Sequence, residues 1–183
     1  CDTGTYYIIV DAVSPSELGT FTLLVSEDPN SSFNVTASIT DASCNSYSDG
    51  KINVLLSGGE APYSYSWYDN NSQLISVNSN SYNLTDSIEN LQASIYILEI
   101  TDDDNCTITD TFSVSEPSQL TMITSSIPAS CNSYSDGQLN VVVTGGTPNY
   151  TYSWNTTPVQ NNSNAVFLSS GTYLLTVIDA NNC

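Results

Sequence analysis

The chain has 183 residues, with 19 acidic side chains against one Lys, no Arg and no His, for a formal net charge of −18. That balance argues against nucleic acid and anionic lipid as partners, since both need a basic footprint. It also removes the imidazole that serves as a base near neutral pH and the guanidinium fork that grips phosphate. Charged residues make up only 11%, so Ser, Thr and Asn carry most of the polar surface, and no run approaches the 18 apolar residues that membrane insertion would need.

In chain order, residues 5–10 (Thr-Tyr-Tyr-Ile-Ile-Val) and 20–25 (Thr-Phe-Thr-Leu-Leu-Val) read as two strands around a loop with Pro15 and Gly19. Residues 28–32 form a linker. Strands are then expected at 34–40, 51–57, 63–68, 94–101 and 107–115, with others between 73 and 91. Ser115-Glu116-Pro117-Ser118 is a joint. Further strands are expected near 120–126, 138–144, 150–155, 164–168 and 172–178. Alternation of apolar and polar residues is clean at Ile52, Val54 and Leu56, at Tyr63, Tyr65 and Trp67, and at Tyr173, Leu175 and Val177, so each run turns one face inward. No segment has a helical period.

A tandem repeat organises these elements. Cys44-Asn45-Ser46-Tyr47-Ser48-Asp49-Gly50 recurs letter for letter as Cys131-Asn132-Ser133-Tyr134-Ser135-Asp136-Gly137, an offset of 87 (131 − 44). At the same offset Gly58-Gly59 answers to Gly145-Gly146, and Trp67 to Trp154. Trp67 to Cys106 is 39 residues (106 − 67) and Trp154 to Cys183 is 29 (183 − 154). The first repeat therefore carries about ten extra residues within 68–93, where insertions map to surface loops. The reading is an all-β fold of tandem Ig-like β-sandwich repeats, at 33–117 and 119–183, preceded by the end of another module at 1–28. The second repeat is expected to lack its last strand.

Five cysteines and no CxxC or Cys/His cluster point to disulfides in an oxidising, extracytoplasmic compartment. Cys44 and Cys131 open the two repeats, and Cys106 and Cys183 end the matching phrases 101–106 and 178–183. The economical pairing is Cys44–Cys106 and Cys131–Cys183, one staple per repeat, each contributing roughly 3–4 kcal/mol. If strands alternate in direction, the ends of the first and fifth strands lie together, which predicts a staple at one end of each sandwich. Cys1 is left for a partner outside the chain.

Few residues invite a chemical role. Asp49-Gly50 and Asp136-Gly137 are turn signals before a strand. The alternative is a hard-oxygen cation site, in which a Cys44–Cys106 bond brings Asp102 and Asp104 near Asp49 and the ion is calcium. No other cofactor is expected. Gly58-Gly59 and Gly145-Gly146 are loop glycines, since no helix or suitably placed Lys follows to hold a phosphate. Alternating Tyr and Trp read as half core and half solvated face, with sugar stacking as the alternative. Nothing marks a catalytic pair, so no enzyme activity is expected.

The pattern Cys-Asn-x-x-x-Asp-Gly, strand, Gly-Gly-x-Pro-x-Tyr-x-Tyr-x-Trp, then Gly-Thr-Tyr-strand-Asp-x-Asn-x-Cys resembles the SprB repeat of Bacteroidetes cell-surface adhesins. The second repeat matches at Cys131, Asp136-Gly137, Gly145-Gly146, Pro148, Tyr150, Tyr152, Trp154, Gly171-Thr172-Tyr173, Asp179 and Cys183. The first departs at Ser94-Ile95-Tyr96. Residues 1–28 are similar to the end of a bacterial pre-peptidase C-terminal domain. The resemblance implies export, typically by type IX secretion, and display on the cell surface as long filaments for adhesion or gliding motility. In that setting the repeats act as a disulfide-stapled stalk. Their partners would be neighbouring repeats or copies of the same filament, with surface polysaccharide or a host or other substratum beyond. The alternative function is an accessory, glycan-binding region of a secreted hydrolase or peptidase.

Overall fold

The structure, a computed structural model, describes residues 34–183, and every described element is a strand. The strands expected at 5–10 and 20–25 lie outside the described residues. The first repeat supplies β1 (Asn34–Thr40), β2 (Gly50–Ser57), β3 (Tyr63–Asp69), β4 (Leu74–Ser81), β5 (Thr85–Leu91), β6 (Ser94–Thr101) and β7 (Thr107–Val114). The second supplies β8 (Thr121–Ile127), β9 (Gly137–Thr144), β10 (Thr151–Trp154), β11 (Asn164–Leu168) and β12 (Leu175–Ile178).

In the first repeat the sheets have the orders β1-β2-β5 and β4-β3-β6-β7. This is the strand order of a seven-stranded Ig-like sandwich, with hairpin neighbours in one sheet and Greek-key crossings to the other. The second repeats it as β11-β9-β8 and β10-β12. The period-2 pattern decides which face goes inward. Gly50, Ile52, Val54 and Leu56 of β2 are buried, as are Tyr63, Tyr65 and Trp67 of β3 and Tyr96, Leu98 and Ile100 of β6. Each large apolar side chain so buried contributes about 2 kcal/mol.

The chain divides into two compact units, and the division does not follow the repeats. The described part of one unit is 34–38, Asn53–Asp86 and Ile97–Thr111. Within it Tyr65 donates its hydroxyl to the Asn83 carbonyl at 2.8 Å, and burial pushes its phenol up to about 12. The Trp67 indole donates to Asp86 Oδ2 at 2.7 Å, while Asn78 donates to Oδ1 at 3.0 Å. The extra residues of the first repeat thus build β4, an edge strand paired antiparallel with β3, as well as loop.

The other unit is Ile39–Ile52, Ser87–Tyr96 and Phe112–Cys183. It keeps the opening loop of the first repeat with the whole second repeat. Gly50 is required there, because a Cβ would come within 2.7 Å of Val114 Cγ1 and 2.9 Å of the Leu91 carbonyl. Its second-repeat core is Val141, Trp154, Ala165 and Leu168, with Leu139, Val143, Tyr152, Tyr173 and Leu175 half-buried against it. These residues come from both sheets, so the sheets pack face to face. The alternating run Tyr173, Leu175, Val177 is only half-buried.

The staples differ from the expected pairing. Cys44 is bonded to Cys183, with Cα atoms 5.8 Å apart. Cys106 is also disulfide-bonded, so its partner is not Cys44, and Cys131 is free and exposed. The second repeat shows why. Cys131 follows β8 at the Ile127/Gln138 end of the β8–β9 ladder. Cys183 closes a loop whose Asp179 grips the Thr147 amide, beyond the Thr121/Thr144 end. Eight residues of β9 separate the two ends by about 24 Å, and a disulfide needs Cα atoms within about 7 Å. Counting strands misled because the chain crosses once more between β10 and β11, in a segment that forms no named strand and meets β10 at the isolated bridge Trp154↔Gln160. In the first repeat Asp102 grips Glu60 just past β2 in the same way. The expectation that Cys1 pairs outside the chain lies outside the described residues.

Candidate functional site: the stapled joint

A network of polar contacts lies where the first repeat hands over to the second. It begins with local turn chemistry. Asp49, three residues past the positive-φ Ser46, accepts the Ser43 amide at 2.9 Å and the Ser43 hydroxyl in a short hydrogen bond. The Ser43 hydroxyl and amide hold the Asp49 carboxyl below its usual range. Asp136 accepts the Ser130 amide at 2.9 Å, and Ser130 lowers it likewise. Each Asp-Gly therefore ties its own opening loop, which the turn reading predicted.

The linker after β7 then docks on this loop. Ala42 donates its amide to the Ser115 carbonyl at 2.9 Å, and Ser115 donates to Asp41 Oδ1 at 2.8 Å. Glu116 accepts from Asn45 Nδ2 at 2.8 Å and from the Ser46 amide at 2.6 Å. These are charge-assisted bonds, stronger than neutral ones. One step on, the Gly146 amide donates to the Ser118 carbonyl at 2.7 Å. Gly146 has φ +61, and a Cβ there would sit 2.6 Å from Asp179 Oδ2. Tyr150 donates its hydroxyl to the Gly145 carbonyl at 2.6 Å, which fixes the glycine pair. The glycines thus serve close backbone approach.

The closing loop completes the joint. Asp179 is buried and accepts three amides: Thr147 at 2.7 Å, Cys183 at 2.9 Å and Asn181 at 2.9 Å. The Thr147 amide first, then those of Cys183 and Asn181, hold its carboxyl below the usual range. Asn181 donates Nδ2 to the Ser43 carbonyl at 2.8 Å and to Thr147 Oγ1 at 3.0 Å. Beside it runs the Cys44–Cys183 bond. In the first repeat Asp102 accepts the Glu60 amide at 3.1 Å and the Cys106 amide at 2.8 Å.

The candidate calcium ligands Asp49, Asp102 and Asp104 are not gathered. Asp49 is occupied by Ser43 and Asp102 by Glu60 and Cys106, while Asp104 is exposed. The Cys44–Cys106 bond that was to bring them together does not form. Among the described residues no group of three or more Asp, Glu, Cys or His is placed to hold a metal ion. The strand tyrosines Tyr63, Tyr65 and Tyr96 are core residues. No described helix is long and apolar enough to cross a membrane.

Sequence reasoning missed Glu116, Asn45 and Asn181. Glu116 stood in the recognised joint and Asn45 in the repeated phrase, but neither had a visible partner. Asn181 stands where the first repeat has Asp104, a residue that cannot donate a hydrogen bond.

The SprB repeat family model matches residues 36–72 and 123–158. A search of the curated proteins finds no match. Among solved structures the chain is similar to one described as the crystal structure of Dpr11 IG1 bound to DIP-gamma IG+IG2. The identity is 11% over 81% of this chain and 92% of that one, with a TM-score of 0.35, too remote to bear on function.

Proposed function

We propose, from the premise that this chain carries two SprB repeats, that it is a non-catalytic segment of a large secreted cell-surface adhesin or filament, acting as stapled stalk in adhesion or gliding. The single observation that carries the stalk reading is the Cys44–Cys183 bond, which ties the opening loop of one repeat to the closing loop of the next. Repeats that fold locally and lock to their neighbours add length by simple addition. A covalent tie at the joint keeps the two from parting under load. In this reading the repeat bodies are 33–117 and 119–183, and the location is extracellular, at the cell surface. The disulfides require an oxidising compartment. Partners are neighbouring repeats, with surface polysaccharide or a substratum as the adhesive target.

The test uses the bacterium that encodes the chain. An antibody against this segment should label intact cells, and deleting its reading frame should lower surface attachment or spreading at least several-fold. Labelling that needs lysed cells, or unchanged attachment and spreading in the deletion strain, would overturn the proposal.

A further inference from the structure

The two identical heptapeptides stand in opposite states. Tyr47 donates its amide to the Cys44 carbonyl at 3.2 Å, and Tyr134 to the Cys131 carbonyl at 3.1 Å. Ser46 has φ 64 and Ser133 φ 71. Yet Ala42 and Cys44 are buried beneath the linker and the closing loop of the second repeat, whereas Ala129 is half-buried and Cys131 exposed. The same seven residues are thus engaged in one place and open in the other.

The open copy faces a cleft lined by Ser130, Cys131, Asn132, Gly137, Leu168 and Tyr173 among others. The engaged copy shows what such a loop accepts. It takes an Asn amide on the carbonyl of the residue before Cys, a carboxylate on the Asn side chain and the following Ser amide, and a sulfur on the Cys. A second copy of this chain has no closing loop to offer, because Cys106 and Cys183 are both already bonded.

We infer that the loop 130–137 is a receptor for the Asp-x-Asn-x-Cys closing loop of a further SprB module, and that Cys131 forms a disulfide with its Cys. In the step, both thiols lose their protons and one S–S bond forms. The two electrons pass to an external disulfide oxidant, which is reduced to a dithiol. The inference rests on the repeat reading but not on adhesion, so its failure would leave surface labelling and attachment untouched.

The test extends residues 1–183 with a second copy of residues 107–183, in which the copied Cys131 is replaced by Ser. Folded under a glutathione redox buffer and mapped without reduction, the extended chain should join Cys131 to the copied Cys183. Alkylation of Cys131, complete in the parent chain, should fall at least tenfold. Replacing the copied Asn181 by Ala should slow formation of the bond several-fold. Cys131→Ser in the extended chain should expose the copied Cys183 to alkylation without loss of the β-sheet signal, which separates a missing partner from a failed fold. The inference is overturned if Cys131 stays reactive in the folded extended chain, if it pairs with Cys44 or its own Cys183, or if the parent chain oxidises to a Cys131–Cys131 dimer as readily as the extended chain closes.

Discussion

Between its third and fifth strands the first repeat makes a full strand, β4, while the second makes the same crossing with a segment that pairs at the isolated bridge Trp154↔Gln160 and is otherwise tied by the Trp154 indole and the Gln160 side chain. The consequence reaches the core. Trp67 bonds a carboxylate, Asp86, and lies with Tyr65, Leu98 and Ile100 in complete burial. Trp154 bonds a backbone carbonyl, that of Asn162, and packs among residues that are mostly half-buried. The insertion stays on the surface, as its loop reading expects, and also enlarges a sheet by an exposed edge strand. The family phrase fixes the strands around each Trp, and the intervening length decides how well they are covered.

The comparison can be broken most forcefully at the cysteines. The Cys44–Cys183 bond closes a separation of 139 residues, worth up to about 5 kcal/mol in the loop-entropy model. Cys44→Ser should lower the unfolding free energy from urea titration by a corresponding amount, while Cys131→Ser should leave it within about 0.5 kcal/mol of the parent. Equal losses would mean that the two loops are not in opposite states. Next come the two tryptophans. Trp67→Ala should cost about 4–5 kcal/mol and Trp154→Ala about 3, read from thermal melts of each variant. A reversed order would show that the looser repeat holds the tighter core.

Glu116→Ala removes the carboxylate from Asn45 and the Ser46 amide, and about 1 kcal/mol should be lost. Hydrogen exchange should report that loss at the Ser46 amide and leave the Ser133 amide of the second repeat unchanged. The smallest effect is the share of one carboxylate in pH dependence. Asp179 is held below its usual value, and the unfolded value is about 3.9. Its stabilisation is therefore full above that value and is lost as pH falls through the lower folded value. Asp179→Asn should lower the melting temperature at pH 6 and flatten its fall below about pH 4.

Much of the fold was legible because its causes are local. Ile52, Val54 and Leu56, or Tyr63, Tyr65 and Trp67, announce an inward face by period alone, and the structure buries all six. Asp49-Gly50 and Asp136-Gly137 announce turns, and each Asp ties its own loop. The joint was legible as a place, in Ser115-Glu116-Pro117-Ser118, but its function as a clamp was not. Glu116 reaches Asn45 across 71 positions and Asn181 reaches Ser43 across 138. No local pattern encodes hydrogen bonds of that range.

The sequence by itself determined a tandem all-β repeat and the inward face of most strands, because side-chain alternation and turn residues act over a few positions. Only the tertiary structure decided which cysteines meet. Strand length places Cys131 and Cys183 at opposite ends of one sandwich, and the joint brings the closing end of the second repeat onto the opening end of the first. The staple that closes the second repeat therefore forms between repeats, as Cys44–Cys183, because a disulfide joins the ends that lie near each other in space.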